Sequence, residues 1–116
     1  MLIVTSYRNP DLDGVACVIA YTEYLSGMGK AAQAVYTGDL GLEVEFVKRF
    51  TKVFQIEKRD GNFGPNDQFI LVDTSDPEAI DRSITPEKVV EIFDHKGGNR
   101  NSTSTFSSSF SSIVIK

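Results

Sequence analysis

The chain is short of cysteine, of basic charge and of long apolar runs. Its one cysteine, Cys17, can form neither an internal disulfide nor a cysteine-based zinc site. That fits a reducing compartment. No apolar run approaches the roughly 20 residues needed to span a bilayer. The opening Met1-Leu2-Ile3-Val4-Thr5 has no positive n-region and no long apolar h-region, so no secretory signal is visible. These absences predict a cytoplasmic protein with no membrane partner. Lys and Arg number 12 against 16 Asp and Glu, a net charge of −4. Broad duplex nucleic-acid binding draws on clustered Lys and Arg, and none is expected here. Small anionic substrates stay open, because bound metal ions can supply positive charge.

What is present is 116 residues, 41% hydrophobic and 24% charged. That composition suits one globular domain. Leu2–Thr5 is short, apolar and β-rich and predicts a buried strand. After a loop marked by Pro10 and Gly14, apolar residues recur at helical spacing from Val15 to Met28, with Asp13 as N-cap. Strands are expected at 32–36, 53–56, 69–72 and 89–93. Helices are expected at about 42–52 and 77–82, the second capped by Asp76 with Pro77 at its first position. Residues 57–67 read as a loop. Strands alternating with helices predict an α/β fold: a mostly parallel, Rossmann-like sheet with helices on its faces, a three-layer domain.

Parallel sheets place ligands at the carboxyl ends of their strands. Three expected strands carry metal-ligating types to that edge. Asn9-Pro10-Asp11-Leu12-Asp13 follows the first, Asp73 the 69–72 strand, and Asp94-His95 the last. Hard divalent cations take carboxylate oxygen, and Mn²⁺ also accepts imidazole. Asp11, Asp13, Asp73 and His95 thus form a candidate metal cluster. A bridging Asp could hold two ions about 3.5–4 Å apart, the arrangement that serves phosphoryl transfer. Plainer readings stand beside this one. Asp13 and Asp76 serve equally as helix caps, and a lone His is often structural. Arg8 reads as a phosphate contact or a solvated side chain. Cys17 reads as a small buried residue. Gly97-Gly98 marks a turn or a close approach to phosphate. The charges of the 42–52 helix read as a solvated face.

The residues Tyr7-Arg8-Asn9-Pro10-Asp11-Leu12-Asp13-Gly14 resemble the first motif of the DHH phosphoesterases, His-x-Asn-Pro-Asp-x-Asp. The following Val15–Tyr21 is similar to the helix after that motif in manganese-dependent (family II) inorganic pyrophosphatases. Leu71-Val72-Asp73 resembles the second motif. Val90–His95 resembles the approach to the Asp-His-His motif that names the family. Order and spacing match across residues 1 to about 98. The resemblance implies Mn²⁺ (or Mg²⁺), two ions in the complete site. Asp11 would ligate the first, Asp13 the second, Asp73 both and His95 the second, with Asp94 supporting His95 from outside. Arg8, Asn9 and Lys96 would contact substrate. It implies attack by metal-held water on a small phosphorylated substrate: pyrophosphate, polyphosphate, a short oligonucleotide or a cyclic dinucleotide.

The chain also departs from the family. Tyr7 stands where the family commonly has a metal-binding His. Lys96 replaces the second His of Asp-His-His, and a protonated ammonium cannot ligate. No counterpart of a further acidic motif follows Lys96, nor does the family's second, basic domain. Instead residues 101 to 112 hold seven Ser and two Thr, a low-complexity run. We therefore expect a partial DHH-type domain over residues 1–98 and a Ser-rich tail over 99–116, the mark of a truncation, frameshift or fragment. The functional expectation is a metal-dependent phosphohydrolase. The alternative is a non-catalytic cation-binding module, or an assembly fragment that dimerises through an uncovered sheet edge.

Overall fold

A computed structural model describes residues 1–50, 55–73, 77–93 and the backbone of 114–115. Strand β1 (Leu2–Thr5) forms from the first apolar run and lies inside a parallel sheet. Helix α1 (Leu12–Gly27) follows, then β2 (Ala32–Tyr36), α2 (Leu42–Phe50) and β3 (Glu57–Lys58). The chain then crosses to the other side of β1 for β4 (Gln68–Val72) and β5 (Val89–Phe93). The pair Val114–Ile115, β6, adds parallel to β5. The order is β3-β2-β1-β4-β5-β6, and every pairing is parallel. This is the doubly wound α/β arrangement.

Register sets the two faces. Ile3 pairs with Phe69, and Thr5 with Leu71. Alternation then sends Ile3, Val35, Phe69, Leu71 and Ile92 to one side. Val4, Ala34, Ile70 and Val72 go to the other, where Val18 and Leu25 of α1 meet them. The buried positions of α1, Val15, Val18, Ile19 and Leu25, recur three to four apart, as a single helical stripe requires. Val15 and Ile19 also receive Val44, the buried residue of α2, so both helices cover the same face. Among the described residues the opposite layer contains no α-helix. Phe63, Ile80 and Ile84, from connecting segments, close over Phe69, whose ring meets Phe63 edge-on at 4.8 Å.

The α/β class and the parallel sheet are as the sequence predicts. Three details differ. Helix α1 begins at Leu12, and its N-cap is Asp11, not Asp13: the Asp11 carboxylate accepts the Gly14 N–H at 2.8 Å. Asp13 sits in the first turn, exposed. The third strand falls at Glu57–Lys58, inside the expected loop, while Gln55 and Ile56 are outside any strand. Residues 53–54 of that expectation lie outside the described residues. The segment after β4 forms a 3-10 turn at Pro77–Ala79 and a second at Pro86–Lys88 rather than a helix over 77–82. Its proposed cap, Asp76, lies outside the described residues.

Candidate functional site

The carboxyl ends of β1 and β4 are neighbours. The chain leaves β1 toward β2 on one side, and β4 lies on the other. That reversal opens a crevice at the strand ends, the usual ligand position in such sheets. All four buried polar residues of the described chain lie at this edge. They are Thr5, Ser6, Thr37 and Asp73, none more than 2% exposed. Burial of polar groups is costly unless something meets them, so their collection at one edge marks the place where polar contacts are concentrated.

The loop between β1 and α1 is held from both sides. The Asn9 N–H donates to the Thr37 carbonyl at 2.9 Å, and Asn9 Oδ1 accepts the Asp39 N–H at 2.7 Å. These bonds fasten the loop to the turn after β2. On the far side the Arg8 N–H reaches the Ala79 carbonyl at 2.7 Å, and Arg8 Nε reaches Asp81 at 3.2 Å. Asn9 itself is left-handed, with φ 56°. It can hold that conformation because Asn tolerates this region better than most residues. Gly38, φ 76°, lies directly beneath its side chain: a Cβ there would stand 2.1 Å from Asn9 Oδ1. The absence of a side chain at Gly38 therefore lets Asn9 seat.

Asp73 ends β4 and is likewise left-handed, with φ 58°. Its N–H donates to the Phe93 carbonyl at 2.8 Å, which ties the turn to β5. Left-handed non-glycine residues are uncommon and cluster where structure fixes a side chain for use. Two of the three described here, Asn9 and Asp73, belong to this edge.

Tyr7 pairs with Asp11. Its hydroxyl accepts the Asp11 N–H at 3.1 Å and donates to the Asp11 carboxylate. Burial first, then that carboxylate bond and the charges of Asp11 and Asp73, push its pKa up to about 12. The Asp11 N–H works the other way, by more than either charge adds. Asp81, beside the loop, is held below the ordinary carboxylate range: burial raises it, but the Ser83 hydroxyl and N–H and the Arg8 guanidinium outweigh that. A cleft of about 500 Å³ opens between the Asn9–Leu12 loop and the start of α2, with Asp11, Asp39 and Glu43 on its walls.

Of the residues expected to act, Asp11 and Asp73 come to one edge, with Tyr7 bonded to Asp11. Asp13 lies one helical position past Leu12, on the same loop-to-helix turn. Arg8 is paired with Asp81, and Asn9 fastens two loops. Asp94, His95 and Lys96 lie outside the described residues. Among the described residues no three His, Cys, Asp or Glu side chains gather closely enough to hold an ion. The donor types fit a hard divalent cation: carboxylates from two strand ends, with the Thr5, Ser6 and Thr37 hydroxyls buried close to the same edge and no hydrogen bond from them among the described residues. Cys17 is half-buried and forms no disulfide. Sequence reasoning missed the Tyr7–Asp11 pairing and the buried hydroxyls. The signal for the latter was polar residues closing apolar strands: Thr5-Ser6 after Ile3-Val4, and Thr37 after Val35-Tyr36.

The fold and this edge define the class: a doubly wound α/β protein whose switch point presents carboxylates. A family model, the N-terminal domain of the DHH family, matches residues 1–111. The chain belongs to the DHH family. It is 29% identical over 94 residues to a "probable manganese-dependent inorganic pyrophosphatase" of Bacillus cereus, covering 81% of this chain and 30% of that protein. A protein of the same name from Bacillus anthracis gives the same identity and coverage. A Methanococcus jannaschii protein assigned to the family II inorganic pyrophosphatases has a solved structure that superposes with a TM-score of 0.63. It shares 28% identity across 82% of this chain and 29% of its own. The chain therefore spans about 30% of the length of the relatives it matches. No helix among the described residues is long and apolar enough to cross a membrane.

Proposed function

We propose that the chain forms the metal-binding part of a manganese-dependent phosphohydrolase acting on a small phosphorylated substrate, pyrophosphate first among the candidates. One observation carries this reading: Asp11, in the loop after β1, and Asp73, at the end of β4, come to the neighbouring carboxyl ends of two paired strands at the switch point of the sheet. The names of the relatives support it. Asp11, Asp13, Asp73 and His95 are the residues that would hold Mn²⁺, or Mg²⁺, with Asp94 orienting His95. Divalent ions at such a site supply a nucleophilic hydroxide near neutral pH and offset charge on the phosphoryl oxygens. The chain's own residues do the positioning. Asn9 fixes the loop that carries Asp11, and the left-handed turn at Asp73 aims a carboxylate at the edge. Lys96 supplies a cation for a substrate phosphate. Arg8 donates to Asp81 through Nε, which leaves its Nη groups as the donors for phosphate.

Polyphosphate, short oligonucleotides and cyclic dinucleotides are further candidate substrates. A cytoplasmic location, a site domain over residues 1–98 and a separate tail over 99–116 belong to the same proposal. The second reading is a non-catalytic cation-binding or assembly fragment, able to form a homodimer. It is favoured by the absence, among the described residues, of three ligating side chains close enough to hold an ion. The test is to titrate Mn²⁺ into metal-free protein by calorimetry, then assay phosphate release from pyrophosphate and cleavage of a dinucleotide. Binding with turnover supports the enzyme. Binding without product refutes it in favour of the second reading. Light scattering reads the dimer.

A further inference from the structure

We propose that Asp81 is a positioning residue of the strand-edge site: it grips the Arg8 guanidinium at Nε and so presents the two Nη groups to a phosphoryl group of the substrate. This rests on the phosphohydrolase reading above and names how that site receives its anion. Arg8 lies in the loop after β1, three residues before Asp11. Its stem lies over Gly38, where an added Cβ would stand 3.0 Å from Arg8 Cγ. Its N–H donates to the Ala79 carbonyl at 2.7 Å, and its Nε donates to Asp81 Oδ2 at 3.2 Å. Asp81 is itself a fixed post. Its other oxygen, Oδ1, accepts the Ser83 N–H at 3.0 Å and the Ser83 hydroxyl at 2.6 Å. Its carbonyl accepts the Ile84 N–H at 3.1 Å. Ile80 and Ile84, on either side, pack into the core around Phe69. The Asp81 side chain is 16% exposed, whereas that of Arg8 is 53% exposed. An ion pair with so open a partner adds little stability. Its effect is on direction. A guanidinium is planar, with five N–H donors in a fixed fork. A bond at Nε restricts the plane and leaves the Nη donors, which can meet a phosphate two at a time. A loop arginine without such a partner gives up its rotamer freedom only on binding, and Asp81 imposes that loss before the substrate arrives. The Asp81 charge also repels an anion. The two effects have opposite signs, so removing Asp81 reads which one prevails.

The experiment uses the full chain saturated with Mg²⁺ and titrated with inorganic phosphate by calorimetry. Asp81→Ala should weaken phosphate binding about tenfold, the order of the freedom an arginine side chain loses on being fixed. Arg8→Ala should weaken it at least as much. In the Arg8→Ala background Asp81→Ala should have no further effect, because no guanidinium is left to direct. Unchanged or tighter binding in Asp81→Ala would overturn the proposal. So would a loss that persists in the Arg8→Ala background, which would assign Asp81 to the packing of its own loop. A second reading needs no change at Asp81: the Arg8 Nε–H signal in nitrogen-15 spectra, identified by its loss in Arg8→Lys. It should exchange slowly with water and persist as phosphate is added. Exchange as fast as that of a free arginine would also overturn the proposal. A parent chain that binds no phosphate would instead overturn the phosphohydrolase reading, and this inference with it.

Discussion

Replacing Gly38 by Ala should unseat the loop that carries Asp11. Gly38 has φ 76°, a conformation that costs a residue with a Cβ about 1–2 kcal/mol. The new methyl would also stand 2.1 Å from Asn9 Oδ1, 2.9 Å from its Cγ and 3.0 Å from Arg8 Cγ. Asn9 cannot simply swing aside, because its Oδ1 holds the Asp39 N–H at 2.7 Å and its backbone is tied to Thr37. Loss of the side-chain bond adds about 1 kcal/mol. The sum is about 2–3 kcal/mol, a large share of the roughly 5–15 kcal/mol typical of a whole domain. Urea unfolding of metal-free protein measures it as a shift in midpoint at constant slope. A double-mutant cycle isolates the contact. Asn9→Gly removes the obstructing side chain and tolerates φ 56°. In that background Gly38→Ala should cost only the backbone part, about 1–2 kcal/mol. The reasoning fails if Gly38→Ala costs less than about 1 kcal/mol. It also fails if the two substitutions are additive.

Other outcomes follow from the same contacts. Asp11→Ala removes the cap on α1 and should cost about 1 kcal/mol. In the same variant the Tyr7 phenol should titrate closer to its ordinary value, read by ultraviolet absorbance. Tyr21→Phe deletes the hydroxyl that donates to Glu91 while keeping the ring stacked on Phe93 at 5.7 Å. Thermal unfolding should show a loss of about 1 kcal/mol, because a half-buried carboxylate loses a donor. The Asp81 pKa is depressed in the fold, so the unfolded chain binds more protons as pH falls toward about 4. Its contribution is full above the ordinary Asp value of about 3.9 and is lost as pH drops through the lower folded value. Ser83→Ala removes the hydroxyl donor to that carboxylate, while the backbone N–H stays, and should flatten part of the acid limb of stability below about pH 4. An unchanged acid limb would contradict the assignment.

The fold was legible where apolar pattern alone decides it. Phe69-Ile70-Leu71-Val72 could be read as a buried parallel strand because both its faces are covered, so four consecutive apolar residues are needed. Glu57–Lys58 carries no such signal: it is an exposed, polar edge strand, made by its backbone bonds to β2. The α1 cap was missed by two positions because Asp11 and Asp13 have the same capping chemistry. Only the turn geometry brings Asp11 to the Gly14 N–H. The second covering layer was hidden for another reason. Phe63, Ile80 and Ile84 come from irregular segments, and isolated apolar residues without a period do not announce a layer. At the site, the strand-edge rule was enough to place Asp11 and Asp73 from sequence. The direction of the Tyr7 hydroxyl was not legible, since it depends on how the loop folds back on Asp11. Arg8 belongs to the same case: its pairing with Asp81 spans 73 residues of sequence.

The central claim is that Asp73 holds a divalent cation at the strand edge. Asp73→Asn is the suitable substitution, because Asn keeps the tolerance for φ 58° while losing the negative charge. The measurement is the rise in Tm on adding Mn²⁺ to metal-free protein, a direct readout of binding to the folded state. At about 100 times the dissociation constant the parent chain should gain about 2.7 kcal/mol. Asp73→Asn should gain nothing measurable at the same concentration. An equal gain in both proteins would contradict the account.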